Sequence, residues 1–189
     1  MTPLILRLEI NGQPLRWVPW QEAIVLQARD MIAWSAGEQS FTFYGGLNRR
    51  TGTQSHVTVS SIIAVRGHVR AHLRPGTPPL SNRELFHRDS HLCLYCGGEF
   101  LAHELTRDHI VPLSRGGADV WANVATACRS CNHHKGAHTP EEAAMALLAV
   151  PFAPNRAEYL ALSNRRILAD QMEFLRKRFR KNRGVDALN

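Results

Sequence analysis

The first part of the chain carries hydrophobic patterns of both strand and helix type. Alternating apolar and polar residues predict a strand from Leu4 to Ile10, and Asn11-Gly12 directly afterwards predicts a tight turn. Apolar residues spaced three or four positions apart predict an amphipathic helix from Trp20 to Ile32. Two further apolar stretches, Phe41–Tyr44 and Val57–Val69, predict strands on either side of a loop rich in Gly, Arg and Thr. We therefore expect a small α+β lobe.

Capping patterns predict three helices in the rest of the chain, after a proline-rich linker at Arg74–Leu80. Ser81 and Glu84 form a capping-box pattern that opens a short helix to about Arg88. Thr139-Pro140 begins a second helix, which should end before Pro151. The last helix should run from Asn155 to about Lys181. The chain is therefore expected to comprise a lobe at residues 1–74, a core at 75–140 and C-terminal helices at 141–189.

Between Cys93 and Gly136 the hydrophobic periodicity stops and Cys, His, Asn, Asp and Gly become dense. Asp108 and His109 are adjacent on a predicted strand, so their side chains should point to opposite faces. A second strand is expected at Val124–Cys128 and a short helix at Arg129–Lys135. This order predicts a hairpin followed directly by a helix.

Composition changes this picture in two respects. The 189 residues are 44% hydrophobic, which is typical of a globular protein, and they carry a net charge of +7 with a pI near 9.8. Such a charge favours binding to nucleic acid, although it also occurs in basic proteins that bind none. No run of 18 apolar residues occurs, and Arg7 and Glu9 interrupt the N-terminus, so we expect neither a membrane span nor a secretory signal. We therefore expect a cytoplasmic protein.

The four cysteines form two close pairs, Cys93-x2-Cys96 and Cys128-x2-Cys131. In the cytoplasm such pairs favour metal binding over disulfides. Two pairs supply the four thiolates of a closed tetrahedral site, the arrangement of structural zinc. Redox chemistry is the alternative for either pair alone. The sequence between the pairs should thus be held at both ends by zinc.

This region resembles the HNH nuclease family. The matching features are the first Cys-x2-Cys pair, Asp-His-Ile-Val-Pro-Leu-Ser-Arg-Gly-Gly from Asp108, an asparagine 14 residues after His109, and Cys-Arg-Ser-Cys-Asn-His-His-Lys-Gly from Cys128. The resemblance covers about Cys93–Pro140, and a looser similarity to stand-alone bacterial HNH proteins covers Pro14–Ile32. It implies an α+β fold whose core is a zinc-braced ββα-metal unit.

The resemblance also implies roles for individual residues. His109 matches the general base, Asp108 a ligand of the catalytic cation, and Asn123 a structural asparagine that fixes the hairpin. Asn132 stands where many relatives have the second histidine, and it would be the other protein ligand. Carboxylate and amide oxygens favour Mg²⁺ or Mn²⁺ over metals held by imidazoles. A shift of one residue would bring in His133 instead of Asn132 as the ligand.

Basic side chains are candidates for contacts to nucleic acid. Around the predicted site and at the C-terminus they are Arg107, Arg115, His133, Lys135, Arg176, Lys177, Arg178, Arg180 and Lys181. The C-terminal group could lie along a DNA backbone and add affinity that falls with salt. Its alternative is a solvated helix end, where positive charge complements the helix dipole.

Three functions fit the sequence. The first is a metal-dependent DNA endonuclease, with a role in defence against foreign DNA as one setting for it. The second is a non-catalytic, zinc-dependent module that binds nucleic acid, which would have no need of Asp108, His109 and Asn132 together. The third places recognition of a partner or modified base in the N-terminal lobe. RNA stays open as a substrate, and because one such site cuts one strand, double-strand cleavage would need a homodimer or successive nicks.

Overall fold

The chain forms two units in the computed structural model, which describes residues 4–67 and 77–180. Among those residues, 4–67 and 156–179 belong to the first unit, and 77–155 and Arg180 belong to the second. The C-terminal helices were predicted as a separate part, but they belong to the unit that contains the N-terminal lobe. The predicted boundary between residues 74 and 75 lies outside the described residues.

The first unit begins with a four-stranded mixed sheet and one helix. Its elements are β1 (Ile5–Glu9), β2 (Pro14–Val18), α1 (Trp20–Ala28), β3 (Ile32–Leu47) and β4 (Gln54–Val65). The strand order is β2-β1-β4-β3, with β1 antiparallel to β2 and parallel to β4, and β3 antiparallel to β4. The tight turn predicted at Asn11-Gly12 is confirmed, because it joins β1 to β2.

The second unit is built around a two-stranded hairpin. Its elements are α2 (Asn82–Arg88), β5 (Leu105–His109), β6 (Val124–Cys128) and α3 (Arg129–Lys135). One-turn 3₁₀ helices at Leu113–Arg115 and Trp121–Asn123 lie between the two strands. The predicted helix before the first cysteine pair, the two strands and the short helix after them are confirmed.

The chain then returns to the first unit as α4 (Arg156–Ser163) and α5 (Ala169–Arg176). One face of the sheet packs its buried side chains against these two helices, through Leu6, Leu8, Ile62 and Ala64 on the sheet and Ala157, Leu160, Ala161 and Leu175 on the helices. The opposite face packs against α1. Both faces are therefore covered where β1 and β4 pair. Among residues 4–67 and 77–180, no helix combines the length and apolarity needed to cross a membrane.

Two predictions in the N-terminal lobe were wrong about where elements end. The helix stops at Ala28 rather than Ile32, because Asp30 adopts a left-handed conformation (φ 53°). Ile32 instead starts β3, where it pairs with Val65 of β4. This pairing makes β3 much longer than the predicted strand at Phe41–Tyr44. β2 was not predicted, and residues 68 and 69 of the other predicted strand lie outside the described residues.

Two predicted helices near the C-terminus were also wrong. After Thr139-Pro140 the chain makes turns only, and Ala144 is left-handed (φ 53°), so no helix reaches Pro151. The long helix predicted from Asn155 is two helices, separated where the Asn164 side-chain oxygen accepts the Arg166 N–H at 3.0 Å. Such a side-chain bond offers the backbone an alternative to the helix.

Candidate active site

The hairpin and the helix behind it bring the predicted site residues into one unit. β5 and β6 pair antiparallel, from Leu105 opposite Cys128 to His109 opposite Val124. α3 begins at the residue after β6, so its first turn lies next to the start of β5. Residues at the end of β5 and on α3 can therefore face a common space.

The four cysteine sulfurs lie within 4.8 Å of one another. In a tetrahedral zinc site with Zn–S bonds of about 2.3 Å, the sulfurs are about 3.8 Å apart, so small shifts would close such a site. Burial raises the pKa of the Cys93 thiol, but backbone N–H groups of Cys96, Cys128 and Tyr95 outweigh this and lower its pKa to about 7. Burial raises the pKa of Cys131. Four converging thiols, one of them readily ionised, fit a structural metal of the zinc type.

Asp108 is almost fully buried at the end of β5 and is held by two side chains. Its Oδ1 accepts a hydrogen bond from Nζ of Lys135 at 3.0 Å, and its Oδ2 accepts one from the hydroxyl of Tyr95. Burial, and then the Asp108 carboxylate, raise the pKa of Tyr95, so this hydroxyl stays a donor. Lys135 also donates to the carbonyl oxygen of His109 at 2.7 Å.

Lys135 was predicted to contact nucleic acid, and the structure places it differently. Its side chain is completely buried, on the last turn of α3, and its ammonium group points into the hairpin. A buried charge needs a partner, and Asp108 supplies it. Lys135 therefore stabilises the site from inside and does not present charge at the surface.

His109 is fixed by a carboxylate that sequence reasoning missed. Its Nε2 lies 2.8 Å from Oδ1 of Asp119. Both oxygens of Asp119 also accept hydrogen bonds from Arg107, each at 2.8 Å, and Arg107 donates in turn to Asn82 at 2.8 Å. The Arg107 guanidinium, and then His109, hold the pKa of Asp119 below its usual range. In the sequence, the only indication of a role for Asp119 is its position just after the turn at Gly116-Gly117.

Asn123 braces the loop that joins the two strands. Its side-chain oxygen accepts the Val111 N–H at 3.0 Å, and its side-chain nitrogen donates to the carbonyl oxygens of Val111 and Ala118 at 3.0 and 2.9 Å. Gly117 lets its own part of the loop backbone lie against Val111, because a Cβ at residue 117 would lie 1.8 Å from the Val111 carbonyl oxygen. Both N–H donors of the Asn123 amide, and its oxygen, thus hold the loop that follows His109.

Asn132 lies on α3 and faces the same cleft as Asp108 and His109. The cleft has a volume of about 290 Å³. The side-chain nitrogen of Asn132 donates to Thr106 at 2.8 Å, which directs its oxygen away from Thr106. Thr106 is itself held by a bond to the Ala127 carbonyl oxygen at 2.9 Å, so it orients Asn132.

A divalent cation fits the oxygen donors of this cleft. An ionised carboxylate offers about four lone-pair positions, and Lys135 and Tyr95 use two of those on Asp108. The amide oxygen of Asn132 adds a second hard donor in the same cleft. The donor set suits an ion of the Mg²⁺ or Mn²⁺ class that keeps several water ligands.

Comparison with known proteins assigns this part of the chain. Residues 93–148 match the family model described as HNH endonuclease. The chain contains an HNH endonuclease domain. A crystal structure of Streptococcus thermophilus Cas9 in complex with AGGA PAM aligns with a TM-score of 0.27 and 25% identity, over 48% of this chain and 9% of that one. None of the curated proteins compared with the chain matches it.

The other predicted nucleic-acid contacts are divided between the units. In the HNH domain, His133 is exposed on α3 and Arg115 pairs with Glu142. In the first unit, Lys177 pairs with Glu173 at 2.7 Å, and the guanidinium of Arg178 stacks 3.7 Å above the Phe174 ring. Exposed members of the C-terminal group are Arg176, Lys177 and Arg180. Lys181 lies outside the described residues.

Proposed function

We propose that this chain is a metal-dependent endonuclease that hydrolyses phosphodiester bonds of DNA with His109 as general base. The observation that carries the proposal is the convergence of Asp108, His109 and Asn132 on one cleft of the HNH domain. A pair of oxygen donors beside an oriented imidazole is what hydrolysis of a phosphodiester needs.

The contact between His109 and Asp119 defines how the base would work. An imidazole that donates its Nε2 proton to a carboxylate keeps a lone pair on Nδ1. Nδ1 would take a proton from water as the water oxygen attacks phosphorus. The bond between phosphorus and the 3′ oxygen breaks, that oxygen takes up a proton from solvent, and the products carry a 5′-phosphate and a 3′-hydroxyl. Asp119 would stabilise the imidazolium formed in this step.

Asp108 and Asn132 would hold Mg²⁺ or Mn²⁺. When bound, such an ion supplies positive charge for the phosphate and the leaving oxygen. Lys135 and Tyr95 would not contact the ion; they hold the Asp108 carboxylate in place. The four cysteines would bind Zn²⁺ and tie both ends of the segment, residues 97–127, that includes most of the hairpin. One such cleft cuts one strand, so nicking is the expected primary activity.

A zinc-dependent module that binds nucleic acid without cutting it is the second candidate. The observation that favours it is that Asp108 and His109 already have protein partners, Lys135 and Asp119, as residues of a scaffold would. The two candidates differ in whether these residues are needed for turnover or only for folding.

The experiment is cleavage of supercoiled plasmid by wild type, His109→Ala and His134→Ala. His134 is an exposed histidine on the same helix as Asn132 and serves as the matched control. Each protein is tested with Mg²⁺, with Mn²⁺ and with excess chelator, after its zinc content has been measured. We expect metal-dependent nicking by wild type and His134→Ala, and none by His109→Ala. Binding of DNA without any cleavage would favour the second candidate, and cleavage by His109→Ala would overturn the assignment of the base.

A further inference from the structure

β3 and β4 continue as a two-stranded ribbon beyond the rest of the sheet. Among the described residues, β1 pairs with β4 only at Ile62–Val65. β3 and β4 pair with each other further out, from Ser40 opposite Ser60 to Leu47 opposite Gln54. At about 3.3 Å per residue, this section, residues 40–60, is about 25 Å long. We call it the ribbon.

The two faces of the ribbon differ in chemistry. On one face Phe41 and Val57 pack towards the core, and the Phe43 ring stacks on Trp20 of α1 with ring centroids 4.5 Å apart. This contact holds the ribbon on its own unit. The residues between these point to the other face, which is polar.

Hydroxyl, phenol and imidazole groups line that polar face in cross-strand pairs. The pairs are Ser40 with Ser60, Thr42 with Thr58 and Tyr44 with His56. The two threonine oxygens lie 3.0 Å apart, and Tyr44 is 70% exposed. Each group can donate or accept a hydrogen bond, and the row is open to solvent along most of its length.

The turn at the tip presents two arginines. The Asn48 side-chain oxygen accepts the N–H groups of Arg50 and Thr51 at 3.0 and 3.3 Å, and the Asn48 N–H donates to the Thr53 carbonyl oxygen at 2.8 Å. These bonds order the backbone of the turn, while Arg49 and Arg50 are exposed. The ribbon has no Asp or Glu, so its formal charge is +2.

From this shape and charge we infer that the ribbon binds in the major groove of duplex DNA, with Arg49 and Arg50 on phosphates and the polar face towards base edges. The inference rests on the proposed function for DNA as the substrate. A major groove about 12 Å wide admits a two-stranded ribbon, and hydroxyl and imidazole groups can hydrogen-bond there. Positive charge without any acidic residue matches the phosphate backbone. The ribbon would thus select where DNA is held, and the HNH domain would cut it.

The test measures binding of a fluorescent 30-base-pair duplex by full-length, zinc-loaded protein without added Mg²⁺ or Mn²⁺. The variant is Arg49→Ala/Arg50→Ala. The matched control, Arg29→Ala/Arg83→Ala, removes the same charge from exposed arginines outside the ribbon. We expect the ribbon variant to bind at least tenfold more weakly than wild type. The slope of log K against log salt should become less negative by about 2, since each phosphate contact contributes about −0.9. The control should bind as wild type does.

Methylation of guanine N7 by dimethyl sulfate tests the groove. Wild type should protect N7, which lies in the major groove, and the ribbon variant should lose that protection. Equal binding by the ribbon variant and wild type, equal losses in variant and control, or preference for single-stranded DNA would each overturn the inference. Plasmid nicking is measured in parallel. If nicking needs His109 but the ribbon variant binds DNA as wild type does, DNA binding by the ribbon is refuted and the proposed nuclease is not. If binding depends on the ribbon but the protein does not nick DNA, the proposed nuclease is refuted and DNA binding by the ribbon is not.

Discussion

Replacing Lys135 by Met removes the charge that pairs with Asp108 while keeping most of the buried aliphatic chain. The side chains of Lys135 and Asp108 are 0% and 4% exposed, and their charged atoms lie 3.0 Å apart. Breaking such a buried pair from one side costs about 3–5 kcal/mol, because the other charge stays buried. The bond from Lys135 to the His109 carbonyl oxygen is lost as well. At 1.36 kcal/mol for each factor of ten, amides of β6 should exchange with solvent roughly 150-fold to 5,000-fold faster.

Hydrogen–deuterium exchange of the peptide that covers Val124–Cys128 is the assay, because this strand is buried throughout. Lys177→Met is the control, since its pair with Glu173 is exposed and should contribute below about 1 kcal/mol. Combining Lys135→Met with Asp108→Asn should recover part of the loss, because neither charge is then left alone. If Lys135→Met exchanged within threefold of wild type, the pair would contribute little and our account of Asp108 would be wrong.

Three further predictions concern the metal centre and the loop after His109. Cys131→Ser should lose zinc and unfold the HNH domain, as measured by elemental analysis and circular dichroism, and full zinc content would refute the four-cysteine site. The ion pairs of Asp119 should stabilise the protein above its ordinary carboxyl pKa of 3.8 and be lost as pH falls through its lowered folded pKa. The difference in urea stability between wild type and Asp119→Asn should therefore vanish in acid, and a difference that persisted there would contradict this. Gly117→Ala should lower nicking about 100-fold by displacing the loop, whereas Gly116→Ala, with open space around its Cβ, should show only a backbone cost of roughly 1–2 kcal/mol in melting experiments. Equal activities of the two glycine variants would contradict this account of the loop.

The parts of the HNH domain that could be predicted from sequence are those specified by local spacing. Two Cys-x2-Cys pairs define a metal site without reference to the rest of the fold. The strand at Val124–Cys128 follows from its length and apolar content, and α3 follows it directly. The positions of Asp108 and His109 at the end of a strand follow from the same pattern.

Side-chain contacts between residues far apart in the sequence could not be predicted in this way. Lys135 is an ordinary charged residue in the sequence, and its burial depends on how α3 packs against β5. Asp119 meets His109 only because the loop between the strands folds back. The helix expected after Thr139 obeys the capping rules, but a tertiary bond from the Leu148 N–H to the Leu94 carbonyl oxygen competes with it. At each of these positions the outcome depends on tertiary contacts, which local sequence patterns do not specify.

The chain order of the first unit has a consequence for synthesis on the ribosome. Its sheet is complete once β4 has emerged, but the helices that cover Leu6, Leu8 and Ile62 begin only at Arg156, about 90 residues later. At a synthesis rate of about 5–20 residues per second, that apolar face stays exposed for roughly 5–20 s before α4 and α5 can pack on it, while the HNH domain is being made. The nascent chain is thus a natural client for chaperones during this interval. A nonsense mutation just before Arg156 would leave the matched HNH sequence at residues 93–148 intact and yet yield a product prone to aggregation.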